Sequence, residues 1–241
     1  MSRIRLASGP GAIFAALLVL FLLVFLPMRL ALGWVGLDTA GFTARKVSGS
    51  VWDGRLTEAR FGDVALGDLR AGLSPLQLLV GRARIDLAGQ AGGQERALTG
   101  AIGLTRHSLG LDDVTGALPV GRVFAPVPVT LLDLDDVTVR FVDGNCDHAE
   151  GRVRAVLAGD FAGVAVPGSL AGTARCDGGA LYLPLGSQGG GEGVALRMWQ
   201  DGRYRAELTL APSDPAAAAK LAMAGFGQTA SGYQLSIEGR F

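Results

Sequence analysis

Val137-Thr138-Val139-Arg140-Phe141 and Tyr204-Arg205-Ala206-Glu207-Leu208-Thr209-Leu210 place an apolar side chain at every second position and mostly polar ones between. Because successive side chains of an extended chain point to opposite faces, this period of two marks half-buried strands rather than helices. Leu235-Ser236-Ile237-Glu238 repeats the pattern near the carboxyl end. Similar short runs occur at 55–61, 64–73, 83–88, 97–104, 152–158, 169–176 and 194–199, and Gly, Asp or Pro punctuates nearly every gap. The composition agrees. Glycine contributes 37 of 241 residues, about double its ordinary share of about 7%, follows no three-residue period, and is poorly tolerated inside helices.

Two segments read as helices instead. Ser74-Pro75 offers a cap and a first-turn proline before Leu76, Leu78 and Leu79, with Gly81 as the stop. Ser213 offers a cap before Asp214, Pro215 and the alanine run 216–219, with Gly225 at the far end. Three prolines between 119 and 128 suggest a hinge between halves spanning 47–120 and 129–241.

The twenty residues from Gly9 to Met28 carry no charge, and about 20 apolar residues cross about 30 Å of hydrocarbon as a helix. We therefore expect a transmembrane helix over 9–28, a cytoplasmic tail over 1–8, a stalk over 29–46 and a body over 47–241. A cleaved signal peptide is the rival, with Ala31-Leu32-Gly33 as a weak cleavage site behind Pro27 and Arg29. Trp34 sits where an interfacial aromatic would, although packing into the body is equally open to it. Basic residues on both flanks leave the charge rule for orientation nearly silent. Cys146 and Cys176, the only cysteines, read as a disulfide in an oxidising compartment, which puts the body outside the cytoplasm; two buried free thiols are the alternative. The fold class expected is thus mainly β: an N-terminal single transmembrane helix followed by a curved antiparallel β-sheet domain with a few short helices.

Chemistry is sparse. Twenty-two basic and twenty-two acidic residues cancel, and the scattered arginines leave no footprint for nucleic acid. His107 and His148, the only histidines, stand at no metal-ligand spacing. Asp133, Asp135 and Asp136 begin like a calcium loop but lack its sixth-place glycine and twelfth-place glutamate. Asp143, Asn145 and Asp147 form an oxygen-rich turn beside Cys146. The 186–193 segment has five glycines in eight residues but no Gly-Lys-Ser/Thr and no following helix, so it reads as a hairpin loop. There is no Gly-x-Ser-x-Gly elbow. No catalytic residue, metal, cofactor or small-molecule substrate is expected.

One set of motifs is more informative. Gly49-Ser50-Val51-Trp52-Asp53-Gly54-Arg55 is followed by the proline and leucine segment Leu73-Ser74-Pro75-Leu76-Gln77-Leu78-Leu79-Val80-Gly81-Arg82. Then come Cys146, Gly151 and Cys176-Asp177-Gly178-Gly179 with Leu181 and Leu183, and lastly Leu221 to Gly225 and Tyr233 to Phe241. In this order they resemble the type II secretion system protein N family, over essentially the whole chain. The family commonly has a tryptophan ahead of the proline segment, where this chain has Gly72-Leu73. The resemblance implies a single-pass inner-membrane subunit, N-terminus cytoplasmic and C-terminal domain periplasmic. It would contact membrane lipid through its anchor and other inner-membrane subunits of the machine that exports folded periplasmic proteins across the outer membrane. It implies no catalytic residue. Gly49 and Gly54 would permit a tight turn or bulge, Trp52 would join the anchor-proximal strand to the sheet as core or as a partner anchor, and Pro75 would open its helix. A different class of function is a lipid-handling module, since the element order is also similar to periplasmic AsmA-like β-groove proteins. A closed core would favour the scaffold, an open apolar groove the lipid carrier.

Overall fold

The computed structural model describes residues 10–35, 41–89, 96–121, 123–161, 163–187 and 189–240. The expected tail 1–8, Gly9 and part of the stalk lie outside them, as does the side chain of Trp34. Two helices lead, α1 (Pro10–Val24) and α2 (Met28–Val35). Then follow β1 (Phe42–Thr43), β2 (Lys46–Gly49), β3 (Gly54–Phe61), β4 (Val64–Leu73), helix α3 (Pro75–Leu79), β5 (Ala83–Gly89), β6 (Thr99–Leu104), β7 (Ser108–Pro119), β8 (Val129–Val142) and β9 (Asn145–Leu157). The remainder is β10 (Asp160–Phe161), β11 (Val164–Ala165), β12 (Ser169–Thr173), β13 (Arg175–Asp177), β14 (Ala180–Gly186), β15 (Gly193–Met198), β16 (Arg203–Leu210), helix α4 (Pro215–Met223), β17 (Gly227–Thr229) and β18 (Gly232–Arg240).

All but β10 and β11, which pair with each other, join one 16-stranded antiparallel sheet. From β3 to β9 the order is a plain meander; β12, β14, β15, β16 and β18 continue it, β17 lies outside β18, and β2 and β13 pair beside the main path with β3 and β14. Adjacent strands lie about 4.8 Å apart, so in a flat sheet β4 and β7 would be about 14 Å apart. Instead they touch, and an ideal Cβ on Gly121 beyond β7 would lie 3.4 Å from the Asp63 carbonyl in the β3–β4 turn. The sheet curls on itself.

The inner face of that curl carries the alternating apolar residues. One cross-strand row runs Leu73, Ile85, Ile102, Leu111, Val139, Ala149 from β4 to β9. At its C-terminal side the core is closed: Val137, Val139, Val153, Leu170, Leu183, Leu196, Ala206 and Leu208 are buried together with Val120, Phe124 and Val127 from the β7–β8 connection and Leu221 of α4. The Tyr204 hydroxyl donates to the Val123 carbonyl at 2.6 Å, and its ring meets Phe124 edge-on. The 120–128 connection, read from its prolines as a hinge, supplies this buried plug, and β7 pairs with β8 across it, so the sheet runs through uninterrupted. At the N-terminal side Met28 and Leu32, one turn apart on α2, pack on Leu56, Ala59, Leu69 and Ala71.

The helix expected over 9–28 is shorter. It ends at Val24, Pro27 bridges to Ser50, and Met28 opens α2 with only 7% of its surface exposed. Proline cannot continue the hydrogen-bond ladder, which accounts for the break. Among the described residues no helix is both long and apolar enough to cross a membrane. In α4 the cap is Asp214, whose carboxylate accepts from the Ala216 amide at 3.0 Å, rather than Ser213. Ser74 holds the cap position of α3 without a side-chain bond, and Pro75 takes its first turn as expected.

Candidate functional site at the Gly49–Gly54 turn

The motif turn is where the leading helices are tied to the sheet. The Val51 amide donates to the Leu26 carbonyl at 3.0 Å, and the Leu73 amide donates to the Val51 carbonyl at 2.8 Å. Three chain segments thus meet in two bonds. Gly49, at φ +88°, closes β2 against Gly54 of β3, and a Cβ there would overlap the Asp53 carbonyl. Gly54 is needed for another reason: its Cβ would overlap the Met28 Sδ and lie 3.1 Å from Met28 Cγ and Cε. At Gly72 a Cβ would sit 2.6 Å from the Trp52 carbonyl, so the place where the family commonly has tryptophan is here a backbone crossing. Trp52 is half-buried, whereas the buried side chains at this junction are Val51 and Met28. Sequence reading assigned Met28 to the span and so missed its role. The only signal was its position after Pro27.

Beside the junction, α3 projects from the β4–β5 connection. Leu76 is 75% exposed and Val80, just past the helix, 71%; Leu78 is also exposed. The loop is held by bonds from the Ser74 amide to the Arg84 carbonyl and from the Arg82 amide to the Gln77 carbonyl. Arg29, Arg55, Arg70 and Arg82 are exposed around this end, and Arg55 stands directly opposite Arg70 across β3 and β4. Helix α1 contains no polar side chain and leaves Phe14, Leu17, Leu18, Val19, Leu20, Phe21 and Leu22 exposed on every face.

Cys146 and Cys176 are joined, with Cα atoms 5.5 Å apart. The bridge closes the seam where β9 runs past the end of β12 beside β13, helped by bonds from the Cys146 amide to the Gly179 carbonyl and from the Ala174 amide to the Gly151 carbonyl. His107, in the β6–β7 turn, contacts Asp143 at 3.1 Å; His148, on β9, contacts Glu150 at 3.4 Å. Asp133 and Asp135 lie in β8 and pair with Arg96 at 3.6 Å and Arg152 at 3.3 Å, and the 186–193 segment connects β14 to β15 as a hairpin. Asp201 in the β15–β16 turn accepts from the guanidinium of Arg203, the first residue of β16, at 2.6 Å; this hydrogen bond, ahead of the Arg203 backbone amide, holds the Asp201 carboxyl below its ordinary 3.8.

Two further surfaces bear on function. Between the α2-covered region and the closed C-terminal core, the inner face is incompletely covered: Leu104 is 46% and Leu111 38% exposed, with Ile102, Leu109 and Phe141 half-buried beside them. The sheet edges also differ. β1 and β2 cover much of β3, whereas β17 covers only Gly232–Gln234 of β18, so 235–240 present an edge with no partner strand among the described residues.

Comparison with known proteins adds a second line. The profile of the family described as "Type II secretion system (T2SS), protein N" matches residues 40–236. The Type II secretion system protein N of Vibrio cholerae serotype O1 is 28% identical over 153 residues, covering 60% of each chain. The chain thus matches about three-fifths of the length of that curated relative. No solved structure matches.

Proposed function

The chain belongs to the type II secretion system protein N family, and on that premise we propose that it is a non-enzymatic accessory subunit of the type II secretion apparatus. Helix α1 holds it in the inner membrane, and the sheet stands on the periplasmic side and works by contact with other subunits. The observation that carries the membrane placement is α1 itself, apolar on every face and exposed on every face. A helix hydrophobic all round requires an apolar solvent. Its fifteen residues cover about 22 Å of rise, less than the hydrocarbon thickness of about 30 Å; local thinning of the bilayer accommodates such a difference at modest cost. The Cys146–Cys176 bridge supports the periplasmic side, because such bonds persist in oxidising compartments. Contact through the free edge of β18 fits strand addition, in which main-chain hydrogen bonds supply affinity.

A second reading, a β-groove module that cradles acyl chains, is favoured by the half-covered strip at Ile102, Leu104, Leu109 and Leu111. The closed packing around Phe124 and Leu221 favours the scaffold. Photocrosslinking from Trp52 and Phe141 in native membranes, with captured species identified by mass spectrometry, separates the two. Capture of secretion subunits supports the accessory role. Capture of phospholipid or lipopolysaccharide alone overturns it in favour of the groove.

A further inference from the structure

We infer that the α3 end of the sheet is a second membrane contact, with Leu76, Leu78 and Val80 seated at the headgroup boundary of the leaflet from which α1 emerges and Arg55, Arg70 and Arg82 on its anionic lipid phosphates. This rests on the reading of α1 as the anchor.

The placement follows from two hydrogen bonds. Leu26, two residues past the end of α1, is bonded to Val51, and Val51 to Leu73. Two such spacings put Leu73 about 10 Å from Leu26, and α3 begins two residues later, at Pro75. At about 3.5 Å per residue, α3 starts within roughly 17 Å of the point where the chain leaves α1. That is less than two helix diameters. With α1 in the bilayer, the exit point lies at its surface and α3 lies beside it.

The chemistry of the projecting segment matches that position. Among the described residues Leu76 and Val80 are the most exposed large apolar side chains of the sheet body apart from Met223, and they stand together on one short loop. The buried plug of Val120, Phe124 and Leu221 is at the other end of the strands, and the junction core of Met28, Leu56 and Ala71 leaves Leu76 and Val80 uncovered among the described residues. A leaflet covers them: apolar side chains on a helix flanked by arginines bury themselves a few ångströms into the interface. Arg55 opposite Arg70 is a like-charge cross-strand pair, which is unfavourable in water alone. Neither arginine has an acidic partner within ion-pair distance among the described residues. An anionic headgroup provides the missing counter-charge, with about 1 kcal/mol of attraction per basic residue near such a surface.

The test uses the full chain, with the native disulfide intact, in nanodiscs of phosphatidylethanolamine and phosphatidylglycerol. Nitroxide labels are placed by Leu76→Cys and Val80→Cys, with Leu18→Cys as the lipid reference and Glu192→Cys, in the hairpin loop at the opposite end of the strands, as the aqueous one. Accessibility to oxygen over a water-soluble nickel complex is expected to rise severalfold at 76 and 80 above the value at 192, toward that at 18. In Arg55→Gln/Arg70→Gln/Arg82→Gln, or with phosphatidylcholine as the only lipid, the ratio at 76 and 80 falls back. If 18 is in lipid while 76 and 80 match 192, the inference is wrong and the anchor stands. If 18 itself is aqueous, the anchor reading fails and takes the inference with it. A ratio at 76 and 80 unmoved by the arginine changes removes the headgroup contact.

Discussion

Gly54→Ala isolates the junction between the leading helices and the sheet. Gly54 is not in the left-handed region, so its backbone accepts alanine, and loss of glycine freedom in the unfolded chain would by itself stabilise by about 0.4–1 kcal/mol. Opposing this, the new methyl overlaps Met28 Sδ and lies 3.1 Å from Cγ and Cε, closer than the 3.5–4.0 Å of a good carbon contact. Met28 is 7% exposed and wedged among Leu56, Leu69 and Ala71, so its thioether moves only by disturbing them. Overpacking of this kind costs about 1–3 kcal/mol, and methionine's adaptability places Gly54→Ala toward the lower end. The net expectation is a loss of about 0.5–2 kcal/mol. Met28→Ala alone empties the site and costs about 2–5 kcal/mol. In that background Gly54→Ala meets open space and becomes neutral or stabilising, giving a coupling of about 1–3 kcal/mol. The assay is guanidinium unfolding of the full chain in detergent, followed by tryptophan fluorescence with the disulfide intact. Losses that add to within about 0.5 kcal/mol would show the two residues to be independent, and the account of the glycine would be wrong.

The bridge between Cys146 and Cys176 closes a loop of separation 30, for which the chain-entropy estimate is about 3.6 kcal/mol. Cys146→Ser/Cys176→Ser should therefore lower the melting temperature by roughly 7–14 °C at 2–4 °C per kcal/mol, and an unchanged melt by calorimetry counts against the bond. Gly151→Ala should destabilise by about 1–3 kcal/mol, because Gly151 has φ +106° and a Cβ there would lie 2.5 Å from the Val137 Cα, a backbone atom that cannot swing aside; equal stability in thermal melts would contradict it. The Asp201 carboxyl is held below 3.8 by Arg203, so its contribution is complete above the ordinary aspartate value and disappears as pH falls through the lower folded one. In Arg203→Gln the carboxyl midpoint, read by NMR titration, should rise toward 3.8, and no rise would mean that the pair is not formed in solution.

Strands were legible where short apolar runs stood between Gly, Asp or Pro breaks: 64–73 is β4 to the residue, and 55–61, 83–88 and 194–199 fall within a residue of β3, β5 and β15, even though β3 and β4 shift register at Glu58 and Gly67. β7 was not, although it is twelve residues long. Its register shifts between Leu111 and Val114 and again before Gly116, with Asp113 at φ +53°, so its apolar residues do not alternate. Asp136, at φ +56°, does the same to the first half of β8. In β14 the obstacle was Pro184, which usually marks an edge; it is tolerated beside β12, where only Ala171 and Gly186 are in register. Glycine abundance pointed to a turn-rich β protein, but its structural use is close approach: Gly72, Gly116, Gly151 and Gly172 each sit where a Cβ would strike the backbone of another chain segment. Which glycines do this is a property of strand order, invisible in a single sequence.

The site was legible to a different degree. Motif order identified the family, and Gly49 and Gly54 do shape a turn, but the partner of Gly54 is Met28, twenty-six positions earlier in the chain. No periodicity links the two. The same gap explains the assignment of residues 25–28 to a membrane span: Phe25, Leu26 and Met28 are as apolar as α1, and only the bonds from Leu26 to Val51 and from Pro27 to Ser50 show that the chain has already joined the sheet there. The proposed role by contact needs no constellation of nucleophile, base or metal, so it would leave few residues that a sequence reading can single out. What it must keep is geometry. Here the required positions are those where one backbone passes against another: Gly49 at the turn, Gly72 under Trp52 and Gly151 over Val137. Substitutions at these glycines should then disturb secretion through the shape and seating of the sheet, while exchanges of exposed histidines or aspartates away from the α3 end should leave it intact.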